Sequence, residues 1–368
     1  MPGSHWDILG RFPKRQSMRS VIIGSGIGVP SHVITNEALS RLMDTSDEWI
    51  RVRSGIQERR YADPGQGSTD LGVIAARNAI ADAGLTSADI DAVLFATMTP
   101  DHVLPGNGPL LQAALGLRDI PTFDIRQQCS GFLYGLELAD LVIQSGRYRR
   151  VLLVGAEVHS PFMPWHLGWD TLIGLSTREI TEAERAANTA IRDRTVLFGD
   201  GAGAVVIEAR DGETGLGPIR LHTDGTAAGV LTMPGASFKR RPFVSHEQID
   251  AGETVPVMSG KEVFRTAVTL MPQAVREVCG LSGLAVEDLD LLLIHQANLR
   301  IIEGVQKALG LPPEKVPHNV ERWGNTTAAT LPILFHECRQ QGLIKPGMNL
   351  VFTALGSGLH WGAALYRT

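Results

Sequence analysis

Cys129 stands where a run with strand character, Thr122–Ile125, meets a run with helical spacing, 131–143. The unpaired N–H groups and the positive dipole end at a helix start favour a thiolate, and can lower a cysteine pKa from about 8.5 to roughly 3.5–7.5. The position therefore predicts a nucleophile. The alternative is a small buried residue, since free cysteines are among the most buried residue types. Cys279 and Cys338 lie at the end of, or inside, helical runs and are interpreted as packing residues.

A histidine and an asparagine further along the chain could together bind a carbonyl oxygen. His295 follows the apolar run 289–294, at the carboxyl end of a predicted strand, where open α/β sheets place their ligand crevices. A lone histidine is nevertheless more often structural, and Asn325 in GNTTAAT would ordinarily be a helix N-cap. Side by side, an imidazole and a carboxamide offer two hydrogen-bond donors to one carbonyl oxygen of a substrate. A thiolate nucleophile needs such donors, because they stabilise the charge that develops on the substrate.

Two glycine-rich stretches, FGDGAGA and ALGSGLHWG, indicate a close approach of the backbone to a substrate, and Ser357 N–H is a candidate oxyanion donor. The alternative is that both are tight turns beside strands.

Other familiar motifs do not match this sequence. GSGIGV has Val29 where a dinucleotide fingerprint needs its third glycine, and Pro30 obstructs the required helix. Because HExxH, CxxC and P-loop patterns are missing from the sequence, we expect no metal and no nucleotide hydrolysis.

Composition limits the classes of function. The chain has 368 residues, 43% of them hydrophobic, a net charge of -5 and a pI near 6.1, so nothing global predicts binding to nucleic acid or to an anionic membrane. Three scattered cysteines indicate a reducing cytoplasm rather than a disulfide framework. No apolar run reaches the roughly 18 residues of a membrane span, and the N-terminus lacks signal-peptide order. Residues 1–17 are interpreted as a tag remnant or loose extension.

The elements that must position these residues alternate between strands and helices. Strand-like runs are predicted at 20–23, Ala92–Ala96, Thr122–Ile125, 151–154, 204–207, 289–294 and 350–354. Helical spacing is predicted at 71–83, 131–143, 263–278 and Leu299–Leu309. The alternation favours a mostly parallel, covered sheet. It restarts after the glycine-rich link 211–217, and each half presents a polar residue, Cys129 or Asn325, at a helix start after a short strand. We therefore predict a duplicated α/β unit.

Six motifs carry a resemblance to a known family. TSDEWIRVRSGIQERR, FDIRQQCSGFLYG, LFGDGAGAVVIE, IHQANLRII, WGNTTAAT and the terminal glycine-rich strand resemble, in this order, the β-ketoacyl-acyl-carrier-protein synthase III family. The resemblance extends over nearly the whole chain from about residue 18. It implies the thiolase-like α/β fold, in which two halves, 18–212 and 213–368, form a five-layered α-β-α-β-α core. It also implies a homodimer.

The resemblance implies a role for each candidate residue. Cys129 matches the acylated nucleophile, and His295 with Asn325 matches the pair that binds the malonyl thioester carbonyl. After decarboxylation the resulting enolate would attack the acyl group on Cys129, whose oxygen would lie against the N–H groups of Cys129 and Ser357. The substrates are acyl-CoA and malonyl-acyl-carrier protein, and no cofactor is implied.

Further positions match substrate contacts of the family. Trp49 matches the residue that stacks on the CoA adenine, Arg53 lies on the same segment, and Asn298 within IHQANLRII belongs to the same binding set. Arg265 and Arg300 match basic positions that meet the acidic carrier protein or the CoA phosphates. Without the resemblance each would be interpreted as a solvated helix charge. Because the chain is acidic overall, a local cationic rim is needed to dock an anionic carrier.

The sequence departs from the short-chain members of the family at three places. Leu104 and Leu355 stand where phenylalanines are common, the first of which reaches into the partner's acyl pocket. The segment 159–194, with Trp165 and Trp169, is longer than the minimal version, and it either caps the site or extends the dimer surface. The smaller side chains suggest a medium-chain primer, longer than acetyl.

Three competing functions remain to be weighed. A thiolase would need a second cysteine in the C-terminal glycine loop, and LGSGLHWG has none. A secondary-metabolism acyltransferase related to these synthases would share the same cysteine, so the sequence barely separates the two. A non-catalytic acyl-binding partner subunit is disfavoured because Cys129, His295 and Asn325 are all present.

Overall fold

A computed structural model describes residues 18–162 and 168–368 of the chain. The predicted N-terminal extension, 1–17, and Trp165 lie outside the described residues. The first described strand begins at Met18, where the sequence changes from a polar stretch to an apolar run.

The described residues form thirteen strands and thirteen α-helices. The strands are β1 Met18–Gly28, β2 His32–Thr35, β3 Glu58–Tyr61, β4 Ala92–Ala96, β5 Thr122–Ile125, β6 Arg150–Glu157, β7 Gly201–Asp211, β8 Gly215–Thr223, β9 Leu231–Thr232, β10 Val257–Met258, β11 Leu291–Ile294, β12 Asn349–Gly356 and β13 His360–Arg367. The helices are α1 Asn36–Ser40, α2 Asp47–Ser54, α3 Ser68–Asp82, α4 Asn107–Leu115, α5 Gly131–Gln144, α6 Trp169–Leu172, α7 Glu182–Ala190, α8 Arg192–Thr195, α9 His246–Asp250, α10 Gly260–Leu281, α11 Leu299–Leu309, α12 Val320–Trp323 and α13 Thr330–Gln340. Every predicted strand and helix named above is therefore present, with longer or shifted ends.

The two large sheets repeat one strand order. The first sheet runs β1-β7-β6-β4-β5 and the second runs β8-β13-β12-β11. In each, the first two pairs are antiparallel, and the next pair, β6 with β4 or β12 with β11, is parallel. The repeated order confirms the predicted duplication.

The expectation of mostly parallel sheets is wrong, because antiparallel pairs outnumber parallel ones. The reason is the connections. β12 turns back into β13 within three residues, and a connection that short joins antiparallel neighbours. The sequence pattern could not reveal this, since strands buried on both faces read as continuous apolar runs in either direction.

Helices cover both sheets and fill the space between them. One cluster of buried side chains joins α3 and α4 to the first sheet, and a second joins α10 and α11 to the second sheet. A third joins α5 and α13 to both sheets at once, with Phe132 and Phe335 each against Phe352. The order α-β-α-β-α matches the predicted five-layered thiolase-like fold. Because α5 is apolar on most of its surface, it suits a layer with sheets on both sides.

The chain passes from the first sheet to the second through three residues after Asp211. The predicted glycine-rich link therefore lies between two strands. The division into halves at residues 212 and 213 stays a prediction.

The N-terminal turns of α5 and α13 meet between the sheets, and two glycines allow this. A Cβ on Gly155 of β6 would lie 2.4 Å from the Ala328 carbonyl oxygen, just before α13. A Cβ on Gly356 of β12 would lie 2.9 Å from Ser130 N and 3.0 Å from Cys129 N, just before α5. The backbone of each sheet therefore touches the helix start contributed by the other half of the chain.

The prediction of a short strand followed by a helix beginning near Asn325 is only partly right. The segment directly before Asn325 is the short helix α12, Val320–Trp323, and not a strand. Asn325 itself forms an isolated parallel bridge with Phe198. A 3-10 turn at Thr327–Ala329 follows, and α13 begins at Thr330. The backbone of Asn325 is therefore paired with the first half of the chain, through Leu197 and Gly199, rather than with a strand of the second sheet.

We predict that Gly155→Ala lowers the free energy of unfolding by roughly 1–3 kcal/mol, because the new methyl group overlaps backbone that cannot move alone. Gly229→Ala is the matched control, since nothing lies within 4 Å of the position where its Cβ would stand. It should change stability by less than about 0.5 kcal/mol. Urea unfolding of both variants measures the difference, and equal stabilities would contradict the close approach.

Candidate active site

One cavity of about 1160 Å³ contains Cys129, His295 and Asn325 in its wall. Cys129 comes from the first half of the chain and the other two from the second half. All three are largely buried, with 8%, 3% and 6% of their surface exposed. The structure therefore brings together the three side chains that the sequence singled out.

Cys129 lies in the 3-10 turn Gln128–Ser130 that leads directly into α5. Gln128 has a φ of 51°, a left-handed conformation that is uncommon outside glycine. Ser130 Oγ donates to the His360 carbonyl oxygen at 2.9 Å, which fixes the turn to the strand after the glycine loop. Gly356 lies against the Cys129 backbone N, and both Cys129 and Ser357, the residue after Gly356, line the cavity.

The predicted lowering of the Cys129 pKa is wrong. Burial, and secondarily the nearby Glu157 carboxylate, raise the pKa of the Cys129 thiol to about 12. The loss of water around the sulfur outweighs the favourable helix end, which acts only within its first turn. The resting residue is therefore a thiol, and its proton must leave during the reaction.

His295 comes directly after β11 and is fixed from two sides. Its backbone N–H donates to the Thr353 carbonyl oxygen at 2.9 Å, and its ring nitrogen Nδ1 lies 2.7 Å from Thr330 Oγ1. Burial lowers the pKa of His295 to about 3, so the imidazole is neutral. In the neutral ring only one of the two nitrogens carries a proton, and the hydrogen bond made by Nδ1 determines which one it is.

Thr330 Oγ1 donates to the Thr327 carbonyl oxygen at 3.0 Å and also contacts His295 Nδ1 at 2.7 Å. Because this contact occupies Nδ1, Nε2 is the ring nitrogen that remains available to a ligand.

Asn325 has its carbonyl oxygen occupied and its amide nitrogen available. Asn325 Oδ1 accepts from Thr327 N–H at 2.9 Å, while the Asn325 N–H donates to the Leu197 carbonyl oxygen at 2.8 Å. The alternative of a helix N-cap is wrong, because the N-cap of the 3-10 turn is Thr326 and that of α13 is Ala329, whereas Asn325 Oδ1 accepts from the N–H two residues further along. Because Oδ1 is bound, Nδ2 is the atom that can donate into the cavity.

Trp49 lies on α2 between two guanidinium groups. The Arg53 carbon Cζ is 4.2 Å from the Trp49 ring centroid and that of Arg192 is 4.7 Å. The sequence analysis did not identify Arg192, because it lies far from Trp49 in the chain and no local pattern links the two. An aromatic face with two cations is a suitable platform for a flat ring that carries phosphate groups.

The other predicted substrate contacts line the cavity or are neighbours of residues that line it. Asn298 lines it and also caps α11, since its Oδ1 accepts from Ile301 N–H at 3.0 Å. Arg300 and Arg265 are exposed, and Arg300 lies 5.9 Å from the ring centroid of Phe264, which lines the cavity. Exposed Lys239, which the sequence analysis did not identify, also lines the mouth.

The departures from the family pattern fall in different surroundings. Leu355 is buried and lines the cavity, whereas Leu104 is 80% exposed on the loop after β4. His159, at the start of the long segment, also lines the cavity. The described part of that segment after residue 167 contacts residues near α1 and the core: Asn188 Nδ2 donates to the Leu42 carbonyl oxygen, and Trp169 packs against the buried cluster that includes α10 and α11.

The described residues form neither a metal-binding cluster nor a membrane-spanning helix. Within residues 18–162 and 168–368, no three histidine, cysteine or acidic side chains are grouped to hold a metal ion. Every helix of the described chain is too short or too polar to cross a bilayer.

Family models match parts of both halves. Residues 123–173 and 181–225 match the family described as 3-oxoacyl-[acyl-carrier-protein (ACP)] synthase III, and residues 279–368 match its C-terminal part.

Two named relatives share this similarity over nearly their whole length. The chain is 40% identical to a β-ketoacyl-[acyl-carrier-protein] synthase III of Caldanaerobacter subterraneus, over 94% of this chain and 97% of that protein. It is 41% identical to β-ketoacyl-[acyl-carrier-protein] synthase III 3 of Streptomyces coelicolor, over 94% and 96%.

Solved structures agree with these matches. The 3-oxoacyl-[acyl-carrier-protein] synthase III of Aquifex aeolicus superposes with a TM-score of 0.80 at 36% identity, covering 95% of this chain and 100% of that one. The priming β-ketosynthase of the R1128 polyketide pathway superposes with a TM-score of 0.80 at 31% identity, covering 97% and 98%.

The raised pKa of Cys129 predicts how the thiol reacts with iodoacetamide. Since only the thiolate reacts, the alkylation rate should rise about tenfold per pH unit and still be rising above about pH 9. The Cys129→Ala variant gives the background from Cys279 and Cys338. A rate that levels off near about pH 7 would contradict a protonated resting thiol.

Proposed function

The chain belongs to the 3-oxoacyl-[acyl-carrier-protein] synthase III family, and from this premise we propose that Cys129, His295 and Asn325 carry out its reaction. The protein is an acyltransferase of the decarboxylating condensing type, a β-ketoacyl-[acyl-carrier-protein] synthase III. The observation that carries the residue assignment is the shared cavity, in which a thiol from one half faces an imidazole and a carboxamide from the other.

In the first step Cys129 Sγ attacks the thioester carbonyl of an acyl-CoA. The C–S bond to CoA breaks, and the thiol proton ends on the departing CoA sulfur. The oxyanion formed on the way accepts from the backbone N–H groups of Cys129 and Ser357. A permanent thiolate is not needed, which agrees with the raised pKa of Cys129.

In the second step a malonyl thioester on the carrier protein loses CO2. The electrons of the broken C–C bond form an enolate, whose oxygen accepts from Asn325 Nδ2–H and from His295 Nε2–H, in the tautomer that carries the ring proton on Nε2. The enolate carbon attacks the acyl carbonyl on Cys129, the new C–C bond forms, and the cysteine sulfur leaves and takes a proton from water. The product is a β-ketoacyl thioester, and the reaction needs no bound cofactor.

Trp49, Arg53 and Arg192 are proposed to bind the adenine and phosphates of CoA. Stacking on the indole ring and contact with two guanidinium groups suit that ligand. Lys239, Arg265 and Arg300 are proposed to meet the anionic carrier at the cavity mouth. This local positive charge compensates for the net charge of -5 on the chain.

The protein is proposed to act as a homodimer in the cytoplasm. Val103 and Leu104 are 66% and 80% exposed at the tip of one loop, an apolar surface that a second copy would cover. Leu104 would then approach the partner's acyl pocket, as the resemblance implies for the phenylalanine that short-chain members carry at this position.

A second candidate function is the priming of a secondary-metabolism pathway. The similarity to a polyketide priming ketosynthase favours it, because that protein matches over the same length.

Release of CO2 from malonyl-carrier protein tests for the condensation. Acyl transfer to an amine or alcohol without CO2 would instead favour the acyltransferase alternative, and a wild-type chain that takes up no acyl group would favour the non-catalytic subunit.

The assigned roles predict that acylation and condensation separate in variants. Cys129→Ala should give no acyl adduct by intact-mass spectrometry with acyl-CoA. His295→Ala and Asn325→Ala should still be acylated, but condense about 10²-fold or more slowly, because each loses one enolate donor. Acylation serves as the internal control for folding. Normal condensation by the Asn325 variant would show that the donor assignment is wrong.

The smaller residue at position 355 predicts a primer longer than acetyl. In a panel of acyl-CoA thioesters, octanoyl-CoA should acylate Cys129 and support condensation at least as well as acetyl-CoA. Leu355→Phe is the matched variant, since a larger side chain in the cavity wall should move the preference toward acetyl while leaving acetyl-CoA turnover largely intact. Faster wild-type turnover with acetyl-CoA than with octanoyl-CoA would exclude the medium-chain primer.

A further inference from the structure

Thr327 is a buried β-branched residue in a left-handed backbone conformation. Its φ is 52° and none of its surface is exposed. A β-branched side chain is rare in this region, because its branch collides with the backbone, and such residues persist where the surroundings hold them and often beside functional sites. Gln128, the residue before Cys129, has the same conformation in the other half, with a φ of 51°.

All three polar groups of Thr327 contact residues around the proposed enolate site. Its N–H donates to Asn325 Oδ1 at 2.9 Å, and its carbonyl oxygen is 3.0 Å from Thr330 Oγ1, the hydroxyl that contacts His295. Its own hydroxyl makes a short hydrogen bond with Nε2 of His159. One residue therefore connects both proposed donors.

His159 provides a fixed point for the Thr327 hydroxyl. The backbone N–H of His159 donates to Asp200 Oδ1 at 2.6 Å. The His159 ring packs on the Phe198 ring, with ring centroids 4.7 Å apart. Phe198 also bridges to the backbone of Asn325. Burial lowers the pKa of His159 to about 3, so the ring brings no charge into the site.

We propose that Thr327 is a positioning residue for the condensation step, held in its left-handed conformation by the hydrogen bond from its hydroxyl to His159. In this conformation its N–H holds Asn325 with Nδ2 toward the cavity, and its carbonyl sets the surroundings of the Thr330 hydroxyl. Without the His159 contact the backbone relaxes toward a common conformation, the N–H turns away from Asn325, and the carboxamide loses its orientation. The inference rests on the proposed function, and it adds two residues that touch no reacting atom.

The test compares two threonines that are adjacent in the chain. Thr327→Val removes the hydroxyl and keeps the branched shape, and it should slow condensation by about tenfold or more while changing Cys129 acylation by less than about twofold. Thr326→Val is the matched control, because Thr326 Oγ1 is buried without a hydrogen-bond partner among the described residues. It should leave both steps unchanged. Thr327→Ser keeps the hydroxyl and should therefore retain most of the wild-type condensation rate that Thr327→Val loses.

His159→Phe removes the same hydrogen bond from the other side and keeps a ring against Phe198. It should slow condensation as Thr327→Val does, and the double variant should be no slower than either single one, since both act through one contact. This variant also keeps the test decisive if Thr327→Val does not fold.

Three outcomes would overturn the proposal. Condensation by Thr327→Val and His159→Phe at the wild-type rate would show that the contact positions nothing. Acylation and condensation falling in proportion would indicate general structural damage. A wild-type chain that takes up no acyl group would instead contradict the proposed function, and with it the premise of the inference.

Discussion

The convergence of two helix starts between two sheets is the constraint on which the rest of the structure depends. α5 and α13 lie in the central layer, and the turns before them, at Cys129 and Ala328, face each other. A Cβ on Gly131 would lie 3.3 Å from the Ala328 Cβ, so the two turns are in direct contact. The glycine loop after β12 and the end of β6 can reach these turns only because Gly356 and Gly155 lack side chains. The two halves thus enclose one cavity that neither could form alone.

Much of this arrangement could be predicted from the sequence, because it depends on local patterns. Apolar runs and helical spacing located the strands and helices, and residue types at the ends of predicted strands identified Cys129, His295 and Asn325. The strand directions could not be predicted, since buried strands look alike in either orientation. The thiol pKa was predicted in the wrong direction for a related reason. A helix start is visible in the sequence, but the burial that outweighs it comes from packing between distant segments.

The supporting residues of the site were also beyond sequence reasoning. His159 and Thr327 are separated by 168 positions, and their contact exists only because the end of β6 approaches the turn before α13. Nothing in GNTTAAT separates Thr327 from its neighbour Thr326, although one hydroxyl is bonded and the other is not. Arg192 meets Trp49 in a similar way, through the packing of the long segment beside α1 and α2. Side chains that act by holding others leave a weaker pattern than the side chains that react.

Burial in and beside the cavity shifts each pKa toward the neutral form of the group. It raises the pKa of Glu157 to about 7 and of Asp200 to about 6, and it lowers the pKa of His295 to about 3. The same desolvation keeps Cys129 protonated. The proposed donors of the site are uncharged and fixed, and in a medium that screens weakly they act most strongly on a charge that appears during the reaction. The oxyanion and the enolate are charges of this kind, whereas a resting thiolate would be destabilised by the same surroundings. The burial that opposes a preformed nucleophile therefore favours the transient anions of both proposed steps.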